Sequence, residues 1–321
     1  MNKSFLIKLV LSLILLGVLL TQIDFPQLLR VLASAQISYL VVILVGYVVG
    51  QVISCVRWIL LARPLGFHFG FKDYLSFYFI GMFFNLFAPS TVGGDASRVF
   101  YLSYAGPGEQ QWGKRTTCAI ISVLMDRVVG MAAMVWMGAA ALVAFPAYPV
   151  PVIIRYITFT LSLVFILGWF LLPLLNRLLQ GRGFAVAEHL RLSLETYWTR
   201  QQTILKTLLL SLAVHTMQSL MHIFLGKGIG LEIPWSYAFI LYPLVGVFAA
   251  LPLSLNGIGL RENAYLFLLA LIDANPEKAV AFGFLWFFMV VLDSLIGGVV
   301  YVLRKGMRPP EGAFRAEIQV K

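Results

Sequence analysis

Apolar residues in this chain run together in long blocks, at about 5–21, 38–62, 74–102, 116–145, 152–176, 204–226, 235–272 and 277–303. Most approach or exceed the roughly 20 residues that a helix needs to cross the hydrocarbon core of a bilayer. The pattern predicts an all-α integral membrane protein. Two blocks are interrupted. The first carries APSTVGGDASR at 88–98, the second PLSLNGIGLR from Pro252. Proline, paired glycine and charge are poor material for a buried helix. Two shorter stretches, FPQLLRVLASAQ at 25–36 and FAVAEHLRLSLETYW at 184–198, read as amphipathic elbows. In the second, Leu190, Leu194 and Trp198 recur every four residues and predict one apolar face for the membrane interface.

Composition agrees with the blocks: 60% of the 321 residues are hydrophobic and only 12% are charged, about half the charge of a soluble domain. The net charge of +10 would suit nucleic acid in a soluble chain. Here it marks cytoplasmic loops. If both interrupted blocks are re-entrant hairpins and the N-terminus is inside, sixteen Lys and Arg fall in cytoplasmic segments. Only Arg30, Arg155, Lys227 and Lys278 fall outside. A single crossing by the first interrupted block would export the basic segment 177–206 and break the positive-inside rule. Two crossings would need more length, because residues 93–105 make only about 20 Å of helix. The expected topology is therefore six full spans plus two hairpins. Ala33-Ser34-Ala35 lies too far beyond the first apolar run for signal cleavage, so that run is kept as a helix.

The two interruptions match each other. Each has a proline (Pro89, Pro252), a glycine five residues on (Gly94, Gly257), an arginine nine residues on (Arg98, Arg261) and then a tyrosine (Tyr101, Tyr265). The helix that follows repeats as well, MDRVVG at 125–130 against LDSLIG at 292–297, aligning Asp126 with Asp293. The halves are 1–145, with its hairpin at about 74–102, and 146–303, with its hairpin at about 235–272. A basic cytoplasmic tail, 304–321, follows them. Three crossings per half invert the second half, which is the broken-helix plan of many transporters.

Broken backbone within a bilayer is tolerated where it is buried in protein or lines a wet cavity. Gly93, Gly94, Gly257 and Gly259 let a ligand approach the chain closely. The helix starting at each break offers N–H groups and a positive dipole end to an anion. Arg98 and Arg261 add planar cations suited to phosphate oxygens. Asp95, Asn256 and Glu262 complete the candidate substrate site. The alternative is mutual neutralisation: Asp95 with Arg98, and Arg261 with Glu262, Asp126 or Asp293. Asp126 and Asp293 are candidates for proton coupling or for ion pairing. Arg127 reads as a partner of Asp126 or a helix-contact residue, Arg57 as a snorkelling residue near a cytoplasmic helix end, and His215 and His222 as core or cavity histidines. Cys55 and Cys118 give no disulfide or zinc spacing. No metal site and no cofactor motif is expected, and no GxxxxGK[ST], HExxH or GxSxG occurs.

At GGDASR (93–98), the Asp126-Arg127 pair and NGIGLRE (256–262), the chain resembles the flippase-like membrane domain of lysylphosphatidylglycerol synthases. The likeness runs over about 5–305. It implies a lipid translocator of a bacterial cytoplasmic membrane, without the separate domain that makes the aminoacylated lipid, and hence no enzyme. The expected partner is a membrane lipid with an anionic headgroup, with a lipid-modifying enzyme as a second partner and no nucleic acid. Two other readings stay open: a membrane-embedded enzyme using Asp95 or Glu262 as a base on a lipid phosphate, and a scaffold that transports nothing.

Overall fold

The computed structural model describes residues 3–87, 92–104, 112–179, 185–250, 254 and 257–304. Its regular elements are helices: α1 (Lys3–Leu20), α2 (Phe25–Ala33), α3 (Ile37–Ala62), α4 (Phe71–Phe87), α5 (Val92–Tyr104), α6 (Trp112–Ala144) and α7 (Val152–Phe170). They continue as α8 (Leu172–Leu179), α9 (Ala185–Thr199), α10 (Gln201–Gly228), α11 (Trp235–Ala250), α12 (Leu260–Ala270) and α13 (Pro276–Leu303). Among the described residues five spans are long and apolar enough to cross a membrane: Ile37–Leu65, Gly113–Ala144, Val152–Phe170, Gln201–Gly228 and Pro276–Leu303. A sixth results if Val10–Leu20 and Phe25–Ala33, bent by 94°, count as one. The chain is an all-α, multi-span membrane protein.

The bend after α1 follows from local chemistry. Asp24 accepts from the Gln27 N–H at 3.1 Å and Pro26 stands in the first turn, both strong helix-start signals. The new helix buries Leu28 with Leu19, Val280 and Ala281, so the first elbow lies on the start of α13. There the Asp24 N–H also donates to Glu277 at 3.2 Å. The second elbow, α9, departs from the expectation of an apolar face for lipid headgroups. Leu194 is buried, Leu190 packs on the core beside α6, and Trp198 lies 5.6 Å from Trp169. Tyr197 fixes this rotation: its ring is fully buried and its hydroxyl donates to the Leu61 carbonyl at 2.9 Å. The outer face carries Glu188, Arg191 and Glu195, bridged at 2.7 and 2.8 Å. Arg191's hydrogen bond holds the Glu188 carboxyl below its ordinary range.

Both interrupted blocks fold back on themselves. In the first, Asn85 meets Gly94, Gly81 meets Arg98, and Phe77 stacks on Tyr101 at 4.7 Å, so α4 and α5 are antiparallel. In the second, Ala249 lies against Gly257 and the Tyr237 hydroxyl donates to the Leu268 carbonyl, so α11 and α12 are antiparallel as well. The tips at 88–91, 251–253 and 255–256 lie outside the described residues, and Asn256 with them. Gly257 (φ 78°) and Gly259 (φ 80°) adopt left-handed backbone that disfavours any side chain.

Small residues let the spans approach closely, as membrane helices require in the absence of a hydrophobic drive. α3 and α10 form the most extensive pair, with Gly46 and Gly50 seated on Met221 and Met217. α13 presses Gly297 against the Phe79 backbone of α4, and α11 seats Gly246 on Met134 of α6. α5 packs on α6 and α12 on α13, while α9 packs on α6 and α2 on α13.

Candidate functional site

Two clusters of ionisable side chains are buried among these helices. The first centres on Asp126 of α6, which is 1% exposed. Its Oδ1 accepts from Arg57 Nε and its Oδ2 from Arg98 Nη2, both at 2.8 Å. Arg57 also donates to Ser211 Oγ at 3.0 Å, tying α3 to α10. The Arg98 guanidinium sits 4.1 Å from the Trp58 ring and 4.8 Å from the Tyr78 ring, stacked geometry that suits its planar cation. Its Nε is buried without an acceptor. At the half-buried edge, Arg127 pairs with Asp95, and Asp95 lies 3.7 Å from Arg98.

Charge decides what this cluster can do. Three cations, Arg57, Arg98 and Arg127, meet two carboxylates, Asp126 and Asp95, and Asp95 is shared between Arg98 and Arg127. One positive charge is in excess in this largely buried place, where an uncompensated ion is costly. An arriving anion would remove that imbalance.

The second cluster has the opposite bias. Arg261 donates to Glu262 Oε1 from Nε at 3.0 Å and from Nη2 at 2.7 Å. Glu262 Oε2 accepts from the Gly259 N–H at 2.7 Å, closing the start of α12. The Arg261 cation lies 4.7 Å from the Phe287 ring. Asp293 of α13 is fully buried, and its Oδ2 accepts from Gln51 Nε2 at 3.2 Å.

Most of the residues chosen from sequence thus lie in these two places: Asp95, Arg98, Asp126 and Arg127 in the first, Arg261, Glu262 and Asp293 in or beside the second. Several pairings differ from expectation. Arg127 partners Asp95 rather than its neighbour Asp126, because adjacent helical residues point to different sides. Arg57 does not snorkel. It is buried at 7% exposure, since α3 continues past it to Ala62 and brings it onto Asp126. The helix starts are also less open than expected. Gly94 gives its N–H to Asn85 Oδ1 at 2.9 Å, and Gly259 gives its own to Glu262. Gly93 lies in the first turn of α5, beside this contact.

His215 and His222 are core histidines as expected. His215 bridges the Tyr242 hydroxyl and the Gly130 carbonyl, and His222 bridges the Tyr265 hydroxyl and the Gln218 carbonyl. Sequence reasoning missed Trp58, Tyr78, Gln51 and Asn85, which are ordinary members of apolar runs and have no spacing signal. Among the described residues no group of three or more His, Cys, Asp or Glu is placed to hold a metal ion. No curated protein and no solved structure matches the chain. Residues 5–297, nearly its whole length, match the lysylphosphatidylglycerol synthase TM region, and the chain belongs to that family.

Proposed function

We propose that this protein moves a phosphate-bearing lipid between the leaflets of the cytoplasmic membrane, with the Arg57–Arg98–Asp126 cluster receiving the anionic headgroup. The observation that carries this reading is the unbalanced positive charge of that cluster together with the buried, acceptor-less Nε of Arg98. Gly93, Gly94 and Asp95 in the first turn of α5 lie alongside, and Gly257 and Gly259 precede α12 in the second half, where Asn256 is assigned to the site by its sequence position alone. An apolar groove of about 480 Å³ between α5 and α6 runs from Asp95 past Val99, Phe100 and Ile120. It gives acyl chains a path beside the charged headgroup site.

The packing pattern supports a relation between the halves 1–145 and 146–303. Exchanging α2–α6 for α9–α13 leaves the main contacts in place: α3 on α10, α4 on α13 and α11 on α6, α5 on α6 and α12 on α13. On this reading the hairpins α4–α5 and α11–α12 are re-entrant, enter from opposite sides, and flank the translocation path. Both termini, including the 304–321 tail, are cytoplasmic. A lipid-modifying enzyme is a natural partner, since the flipped lipid must first be made.

Transfer of a headgroup-labelled anionic phospholipid in reconstituted vesicles tests the site. Replacing Arg98 by Gln removes a charge-assisted contact and is expected to slow transfer roughly ten- to a hundred-fold. A wild-type rate in that variant would refute the headgroup site. Mass analysis of the same lipid should show no chemical change, which separates transport from catalysis. The topology is checked independently with single cysteines at Gly108 and Ala274, expected to react with impermeant reagent from opposite sides. Reaction from one side would dismiss the inverted arrangement.

A further inference from the structure

The first cluster has more cations than anions, and the second has the reverse. Arg261, Glu262 and Asp293 are all buried, and Arg261 is committed to Glu262 through two hydrogen bonds. Among the described residues no cation is bonded to Asp293. Its Oδ2 has one neutral donor, Gln51 of α3, and its Oδ1 is buried with no hydrogen-bond partner. An ionised carboxylate so placed would be an isolated charge inside a membrane span, which costs several kcal/mol or more. A protonated carboxyl at the same place is neutral and removes that cost.

The position is not an accident of a loose helix. One turn on, Gly297 presses against the Phe79 backbone of α4, with Gly298 against Phe83. α13 is thus fixed at this level and Asp293 cannot turn outward without separating that contact. The sequence also aligns Asp293 with Asp126, the carboxylate that holds two arginines in the other half. One repeat keeps its aspartate ionised by pairing; the other surrounds it with neutral groups.

We infer that Asp293 is a proton-binding site, occupied by a proton in this arrangement. The inference rests on the transport reading for its purpose, since a proton site would supply the driving force for moving the lipid. The groups that face it are few. α3 brings Gln51 and, one turn before it, the Tyr47 phenol. Nearer the start of α13, α12 places Arg261 over Phe287 and Glu262 against Gly283, and α10 places His222 against Trp286, two turns before Asp293. α4 brings Phe79 and Phe83 at this level, its Asp73 pairing with Arg304 further along. α2 packs near Val280 and Ala281, several turns away. When the proton leaves Oδ for water, negative charge stays on Asp293 with Gln51 as its bonded donor, so proton movement bears on the packing of α3 against α13.

Infrared difference spectra of the purified protein at acid and neutral pH test the site without reference to transport. The wild type should show the carbonyl band of a protonated carboxyl, and Asp293→Asn should lack it. If Asp293→Asn does not fold, Gln51→Leu serves instead, because loss of its only donor must move the band in frequency. A band that is absent, or unmoved by both changes, overturns the inference; a band that is lost to sodium rather than to pH overturns it in favour of a metal-cation site. In vesicles under an imposed pH difference, wild type should accumulate labelled anionic lipid in one leaflet by up to about tenfold per pH unit, the limit for one coupled proton. Asp293→Asn should equilibrate the lipid with no accumulation. Accumulation in that variant equal to wild type overturns the coupling role. If neither protein moves lipid while the band behaves as expected, the proton site stands and the transport reading falls.

Discussion

Asp126→Asn is expected to destabilise the protein more than removal of either arginine it holds. The substitution is isosteric, so no cavity forms. What changes is charge: Arg57 and Arg98 are left as two buried cations around a neutral amide. Breaking a buried pair by removing one partner costs about 3–5 kcal/mol, because the remaining ion keeps its desolvation penalty without compensation. Here one deletion strands two ions at once. Arg57→Met moves in the other direction, since it leaves a balanced Arg98–Asp126 pair and removes the excess cation. It still forfeits the Ser211 bond between α3 and α10, so a smaller loss is expected. Thermal unfolding in detergent, read for Asp126→Asn, Arg57→Met and Arg98→Met together, checks the order. Equal losses in all three would show that the cluster is held by packing, and the charge argument for an anion site would fail with it.

The same cluster shows where sequence reasoning reached and where it stopped. The apolar blocks gave the helices well, because a bilayer demands long uninterrupted runs and few sequences supply them by chance. The breaks at 88–95 and 252–259 were legible for the same reason: glycine and charge at these places need an explanation. Arg98 and Arg261 stood out as ionisable residues in apolar surroundings. Glu262 was legible as a partner of Arg261 and Asp95 as a neighbour of Arg98, but Asp126 was not legible as the carboxylate that Arg98 and Arg57 share. Asp126 reaches Arg98 across 28 residues and Arg57 across 69, and no local spacing encodes a contact made by tertiary packing. Snorkelling fails for Arg57 because the carboxylate that holds it, Asp126, lies 69 residues away, where nothing local marks it. The face of α9 was misread because an amphipathic helix looks alike whether its apolar side meets lipid or protein. In this chain it meets α6, beside a nearly wholly apolar cavity of about 630 Å³ bounded by α6, α7, α9 and α10.

Gly94→Ala is expected to lower stability even though alanine is the better helix former. In an open helical position the exchange would favour the fold by up to about 1 kcal/mol. Gly168 of α7 is such a position, with nothing near a would-be Cβ. At Gly94 the added carbon would collide with the Gly81 carbonyl oxygen and stand 2.5 Å from the Asn85 side chain. The first obstacle is backbone, so relief requires α5 to move away from α4 as a unit. Overpacking of this kind costs about 1–3 kcal/mol, and the Asn85 bond to the Gly94 N–H is strained at the same time. Arg98 is one turn further along α5 and its Cγ already lies 3.0 Å from where a Cβ on Gly81 would sit. Displacing α5 therefore draws Arg98 away from Asp126, and the variant should lose lipid transfer together with stability. Melting temperatures of Gly94→Ala and Gly168→Ala provide the paired measurement, with the first expected below wild type and the second at or above it. The opposite order would mean that α4 and α5 are not locked backbone to backbone, and that the paired glycines serve something other than holding Arg98 over its carboxylate.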